Sequence, residues 1–143
     1  MNGLLIKARN ASKALIKLSN YDRNLCLSNI KESLIENIKT ILDANKIDVC
    51  NAIENNCAPS FVERLTLTES KLIDIANSID EVRNLDDIIG VAIEEFERPN
   101  GLKIKKIREP FGVICSIFES RPNVVVDITV LCLKTANSCI LKG

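Results

Sequence analysis

Through the first 84 residues, apolar side chains recur every three or four positions. In GLLIKARNASKALIKLS, the residues Leu4, Ala8, Ala11, Leu15 and Leu18 fall on one helical face. In YDRNLCLSNIKESLIENIKTILDANK, Leu27, Ile30, Leu34, Ile38 and Leu42 repeat that spacing and predict a second helix. Its wet face carries Lys31, Glu32, Glu36 and Lys39. A shorter helix is expected over Ile47–Asn55. Pro59 then interrupts, and Ser60 with Glu63 has the spacing of a capping box. A further helix follows Thr68, with Leu72, Ile75 and Ile79 turned inward. All of these stripes read as core.

From Asp86 the pattern changes. DDIIGVAIEEFERPNGLKIKKIREPFGVICSIFES is rich in Ile, Val and Phe and punctuated by Gly and Pro. RPNG marks a turn between two extended runs. GLKIKKI partly alternates, as a strand with one wet face does. The acids Asp86, Asp87, Glu94, Glu95 and Glu97 precede the bases Arg98, Lys103, Lys105, Lys106 and Arg108. Antiparallel strands of opposite sign pair well, so a hairpin is expected.

FGVICSIFE is apolar without alternation, which suits a strand covered on both faces. RPNVVVDITVLCLKTAN opens with Pro122 near a helix start, and Val126, Val130, Leu133 and Lys134 follow at helical spacing. Its β-branched residues are poor helix formers, so burial has to hold this helix. SCILKG reads as a second buried strand. The three segments form one βαβ unit with parallel strands.

Composition narrows the class. Lys+Arg and Asp+Glu are both 19, giving no net charge to draw the chain to nucleic acid or an anionic membrane. The basic run is cancelled by neighbouring acids and has no interleaved aromatics for base stacking. No apolar run approaches the span of a bilayer, and the N-terminus is broken by Lys7, Arg9 and Lys13, unlike a signal peptide. A cytoplasmic location is expected. The chain has six cysteines, no CxxC pair and no histidine, so Cys/His zinc sites are excluded and no metal is expected. Cys26, Cys50, Cys57, Cys115, Cys132 and Cys139 read as reduced, mostly buried thiols.

Open parallel sheets bind ligands at the carboxyl ends of their strands. Those ends are ESRPN and LKG here. The first offers Ser120, Asn123 and free amides at a helix start; the second offers Lys142. A polar turn beside a lysine suits a phosphate- or ribose-bearing cofactor. Neither GxGxxG nor GxxxxGK[ST] is present, so ordinary turn chemistry competes with this reading.

The motifs RPNGL, PFGVI, ESRPNV, LCLK and ILKG together resemble the glutamate-5-semialdehyde dehydrogenase family of the aldehyde dehydrogenase superfamily. FVERLTLTE and ILDANKIDV resemble that family's N-terminal region, so the likeness covers nearly the whole chain. The resemblance implies an α/β fold: a helical N-terminal layer (1–85), a β-hairpin arm (86–110) and the first βαβ of a Rossmann-like cofactor domain (111–143). It implies NADPH-dependent reduction of L-glutamyl 5-phosphate to glutamate 5-semialdehyde in proline biosynthesis, through a thioacyl enzyme. It places Phe118, Glu119 and Ser120 at the nicotinamide pocket, with Ser120 where the superfamily keeps an oxyanion-donating asparagine. Lys142 falls where a superfamily lysine meets the adenosine ribose. Arg121 belongs to the same motif, and two roles stay open for it, meeting an anionic substrate or a structural one. The resemblance further implies a small-molecule substrate and a homo-oligomer built through the hairpin when the chain is full length.

Two departures stand out. The family usually has glycine where this chain has Ala136, so a turn needing positive φ would be strained. None of the six cysteines matches the family's nucleophile, and the family's catalytic domain lies beyond Gly143. The expectation is an N-terminal fragment without a catalytic residue, inactive alone. Two alternatives remain: another acyl-reducing superfamily member, such as a CoA-acylating aldehyde dehydrogenase, and a non-catalytic partner of a separate C-terminal polypeptide.

Overall fold

A computed structural model describes residues 2–143. Helix α1 spans Asn2–Leu15 and α2 spans Asn20–Glu36. Ser19 starts α2 with a reciprocal cap: its Oγ accepts from Asp22 N, and its own N–H donates to the Asp22 carboxylate, both at 3.1 Å. That carboxyl is held below its usual range, chiefly by the Ser19 hydroxyl and then by the Ser19 amide. The apolar spacing runs on past residue 36, yet the helix breaks at Asn37 and restarts as α3 over Ile38–Glu54. The Asn37 amide side chain donates to Ser33 O at 2.8 Å, a local bond that competes with helix continuation. The expected break before Ile47 does not occur. α3 instead runs on until Asn56, whose left-handed φ of 54° ends it.

Helix α4 (Pro59–Leu65) corrects another expectation. Its N-cap is Ala58 with Pro59 in the first turn, and Ser60 and Glu63 form no capping box. Helix α5 (Glu69–Arg83) begins as expected, with Thr68 Oγ1 accepting from Lys71 N at 3.2 Å. Leu72 and Ile79 are buried on its inner face.

Strands β1 (Ala92–Glu97) and β2 (Lys103–Ile107) form the expected antiparallel hairpin. Gly101, at a positive φ of 81°, closes the turn by donating to Arg98 O at 2.8 Å. Glu95 faces Lys105 in register and pairs with it at 3.0 Å. Both faces of this hairpin are wet, with only Ile104 half-buried, so the one-sided reading of GLKIKKI fails.

Strand β3 (Val113–Ile117), helix α6 (Asn123–Lys134) and strand β4 (Ser138–Lys142) form the βαβ unit, with β3 and β4 parallel. β4 is covered by α1 and α6, as an apolar strand requires. β3 is not covered on both faces: Val113, Cys115 and Ile117 are exposed, Ile117 at 80%. The main core lies where α2, α5 and α6 meet, around Leu27, Ile79 and Val130. α1 buries Ala8, but Leu4 and Ala11 of its expected inner face are exposed. The helix meets the sheet through too narrow a strip to cover them. The thiols are free, as expected, yet only Cys132 is buried. Cys50 sits on the outer side of α3 and Cys115 on the open face of β3.

Candidate functional site

The rim at the carboxyl ends of β3 and β4 is set by what happens at their amino ends. Gly112, at a positive φ of 102°, donates its N–H to Asn137 Oδ1 at 2.8 Å, and its carbonyl accepts from Ser138 N at 2.9 Å. Ser138 Oγ, buried, donates to Ala8 O at 2.8 Å and so ties α1 to the sheet. These bonds fix Val113 opposite Ser138, and counting along the strands brings Ile117 opposite Lys142. Pairing continues one step further, with Phe118 N donating to Lys142 O at 3.0 Å.

The helix between the strands is held from its far end. Lys134 is buried, and its ammonium donates to Asn20 Oδ1 at 3.1 Å, Asn24 Oδ1 at 2.9 Å and Arg83 O at 2.9 Å. Burial lowers its pKa, Asp87 acting the other way. Arg23, also buried, donates to Leu18 O at 2.6 Å and to Asp87 at 2.7 Å. This polar junction locks α6 to α2 and α5. The turn after α6 closes with Ala136 N on Leu133 O and Asn137 N on Cys132 O. Ala136 takes the left-handed position there, φ 54°, as the missing glycine foretold.

Phe118 is half-buried, and its ring lies over Gly143, where an added Cβ would meet it at 3.5 Å. Glu119 and Arg121 are exposed. Ser120 adopts φ 47°, a left-handed conformation that costs a non-glycine residue roughly 1 kcal/mol or more. Its Oγ accepts from Arg64 Nε at 3.2 Å. Lys142 is exposed, and its ammonium reaches only Gly143 O, at 3.2 Å, among the described residues. Lys142 therefore ends β4, and Ser120 lies in the turn three residues past the end of its paired neighbour β3.

The helix start is less open than its sequence suggests. Val124 N donates to Arg121 O at 3.1 Å and Val125 N to Pro122 O at 3.3 Å, so two of the amides expected to be free are engaged. Asn123 folds back along the helix, its Nδ2 on Asp127 Oδ2 at 3.0 Å.

Arg64 is the rim residue that sequence reasoning missed. It lies in α4, and its contact with Ser120 joins positions 56 apart, with no local signal for the meeting. Beside it a groove of about 300 Å³ runs between α4, α5 and the start of α6. Its polar lining is Arg64, Thr66, Lys71, Asp74 and Asn123, with Leu67 and Ile75 as the apolar part, and its charged side chains are exposed. No cysteine lines this groove or ends a strand at the rim. Burial, with Cys139 nearby, pushes the Cys132 thiol up to about 11.

No family model matches the chain. The gamma-glutamyl phosphate reductase of Geobacillus sp. (strain WCH70) is 44% identical over 146 residues, covering 100% of this chain and 35% of that protein. The solved structure of gamma-glutamyl phosphate reductase from Thermotoga maritima superposes with a TM-score of 0.89 at 38% identity, over 94% of this chain and 33% of that one. The Saccharomyces cerevisiae structure of the same name gives a TM-score of 0.90 at 38% identity, over 95% and 35%. The chain thus spans about a third of the length of the relatives it matches, their N-terminal third. Over that third, in sequence and in fold, the chain is a homologue of the gamma-glutamyl phosphate reductases.

Proposed function

We propose that this chain serves the NADP(H)-dependent reduction of L-glutamyl 5-phosphate to L-glutamate 5-semialdehyde, the proline-biosynthesis step of its relatives, and contributes part of the Rossmann-like cofactor site. The observation that carries the reading is a rim of two paired parallel strands, with Ser120 in the turn after β3 and Lys142 at the end of β4, within a chain 44% identical to a gamma-glutamyl phosphate reductase over its whole length.

The residues fit a nicotinamide dinucleotide. Lys142 has an ammonium committed only to a neighbouring carbonyl, so it is available to a ribose or phosphate oxygen. Phe118 offers an apolar wall, and Glu119 extends the edge of the same turn. NADPH, when bound, supplies the hydride. Ser120 can donate its hydroxyl proton to an oxygen that gains negative charge, because Arg64 is the donor in their mutual bond. Arg121, exposed on the same turn, meets an anionic group of the substrate. The hairpin β1–β2, wet on both faces, forms the contact of a homo-oligomer, and the site of action is the cytoplasm. Among the described residues no helix is long and apolar enough to cross a membrane.

The test is a chimera in which this chain replaces the corresponding third of the Geobacillus sp. relative. Phosphate-dependent reduction of NADP+ with glutamate semialdehyde is expected. A folded chimera without that activity overturns the reading. The 143-residue chain alone is expected to be inactive, since no thiol stands at its rim. Removing a nucleophile costs on the order of 10⁶ in rate, which the remaining donors do not recover.

A further inference from the structure

The groove beside Ser120 has a charge pattern that neither the cofactor nor the acyl phosphate explains. Arg64 and Lys71 are cations on its walls, and Asp74 is a carboxylate on the same walls. Opposite charges lining one small groove would ordinarily pair, yet Arg64 and Asp74 make no salt bridge with each other or with any other described residue. Among the described residues Arg64 uses only its Nε, on Ser120, which leaves both terminal amino groups available. Lys71 is anchored by its bond to Thr66 O at 2.8 Å, which holds a positive charge over the wall. Leu67 and Ile75 are the apolar part of the lining. At about 300 Å³ the groove stands at the small end of ligand sites, sized for a metabolite rather than a dinucleotide.

A ligand that satisfies these walls carries a carboxylate and an ammonium a short distance apart, with methylenes between them and the reacting end. Two cations against one carboxylate also leave a net positive groove, which favours an acidic amino acid over a neutral one. We infer that this groove binds the α-amino-acid end of the substrate, Arg64 taking the α-carboxylate in its planar fork and Asp74 the α-ammonium. The inference rests on the function proposed above and adds the part of the substrate it leaves unassigned. Through its Nε, Arg64 also couples the groove to Ser120. A correctly seated α-carboxylate thus meets the same guanidinium that holds the left-handed turn at the rim.

The test uses the 143-residue chain, labelled with ¹⁵N and titrated with L-glutamate and with glutarate, which lacks the ammonium. L-glutamate is expected to shift the amides of α4, the start of α5 and Asn123 with a dissociation constant of roughly 1 mM. Arg64→Gln should weaken both ligands about tenfold, as loss of a charge-assisted bond does. Asp74→Asn should weaken L-glutamate about tenfold and leave glutarate unchanged, a split that a purely structural role does not produce. No shifts in the groove, or equal weakening of both ligands by Asp74→Asn, overturns the inference. Such a failure beside an active chimera removes the groove and leaves the reductase reading standing. An inactive chimera beside stereotyped L-glutamate binding does the reverse.

Discussion

Lys134 and Lys142 stand at the two ends of one turn and strand, and they do opposite work. Lys134 is 4% exposed, and its ammonium is shared among two asparagine side chains and a backbone carbonyl. Lys142 is exposed, and among the described residues its ammonium bonds only the carbonyl beside it. The first charge is consumed inside the fold, where it fixes three helices to one another. The second is left over, and a leftover cation at a strand end is what a ligand can use. The same residue type is therefore structural where the partners come from distant segments and open to a ligand where none do.

The sharpest way to break this comparison is to remove each ammonium. Lys134→Met strands Asn20, Asn24 and the Arg83 carbonyl without their donor and should cost about 3 kcal/mol by urea unfolding. Lys142→Ala should change stability by less than about 0.5 kcal/mol. In the chimera the same change should raise the NADP+ KM about tenfold. Equal destabilisation by the two would erase the distinction.

Ser138 sharpens it within β4, since it faces inward at the strand's start. Ser138→Ala deletes its bond to Ala8 O and should cost about 1 kcal/mol. Amide exchange should then quicken in α1 before it does in α5. Ala136→Gly acts on the turn between the two lysines and has the opposite sign. Relief of left-handed strain, about 1–2 kcal/mol, outweighs the loss of one buried methyl, about 0.8 kcal/mol. A net gain below about 1 kcal/mol is expected from thermal unfolding.

The smallest effect depends on pH. The Asp22 and Asp80 carboxyls sit below their unfolded value of 3.8, held there chiefly by the Ser19 hydroxyl and by the Lys31 ammonium respectively. Their contribution is present above that pH and is lost as pH falls through the lowered values. Ser19→Ala should flatten part of this acid limb, measured as unfolding midpoint against pH, without altering the alkaline side.

Much of this architecture was legible because it is local. Thr68 capping α5, RPNG closing the hairpin and the apolar–polar–apolar order of the βαβ unit each need only neighbours in sequence. The strain at Ala136 was readable through the family resemblance, which puts a glycine at that turn. The break at Asn37 was not, because the apolar spacing continues across it while a single side-chain bond to Ser33 ends the helix. Cover on both faces of β3 was expected from its composition, and composition does not say whether a covering layer is present. The rim's two strand ends were readable from topology. Arg64 was not, since its partner is 56 positions away, and neither was the Arg23–Asp87 pair, separated by 64.

The Ser138–Ala8 bond spans 130 positions, almost the length of the chain. At synthesis rates of about 5–20 residues per second, the first helix waits on the order of 10 s before the strand that receives it exists. During that time Ala8, which the folded chain buries, has no sheet beside it. The first helix to be made is thus among the last to be settled, and whatever shields it meanwhile decides how much chain reaches the folded state.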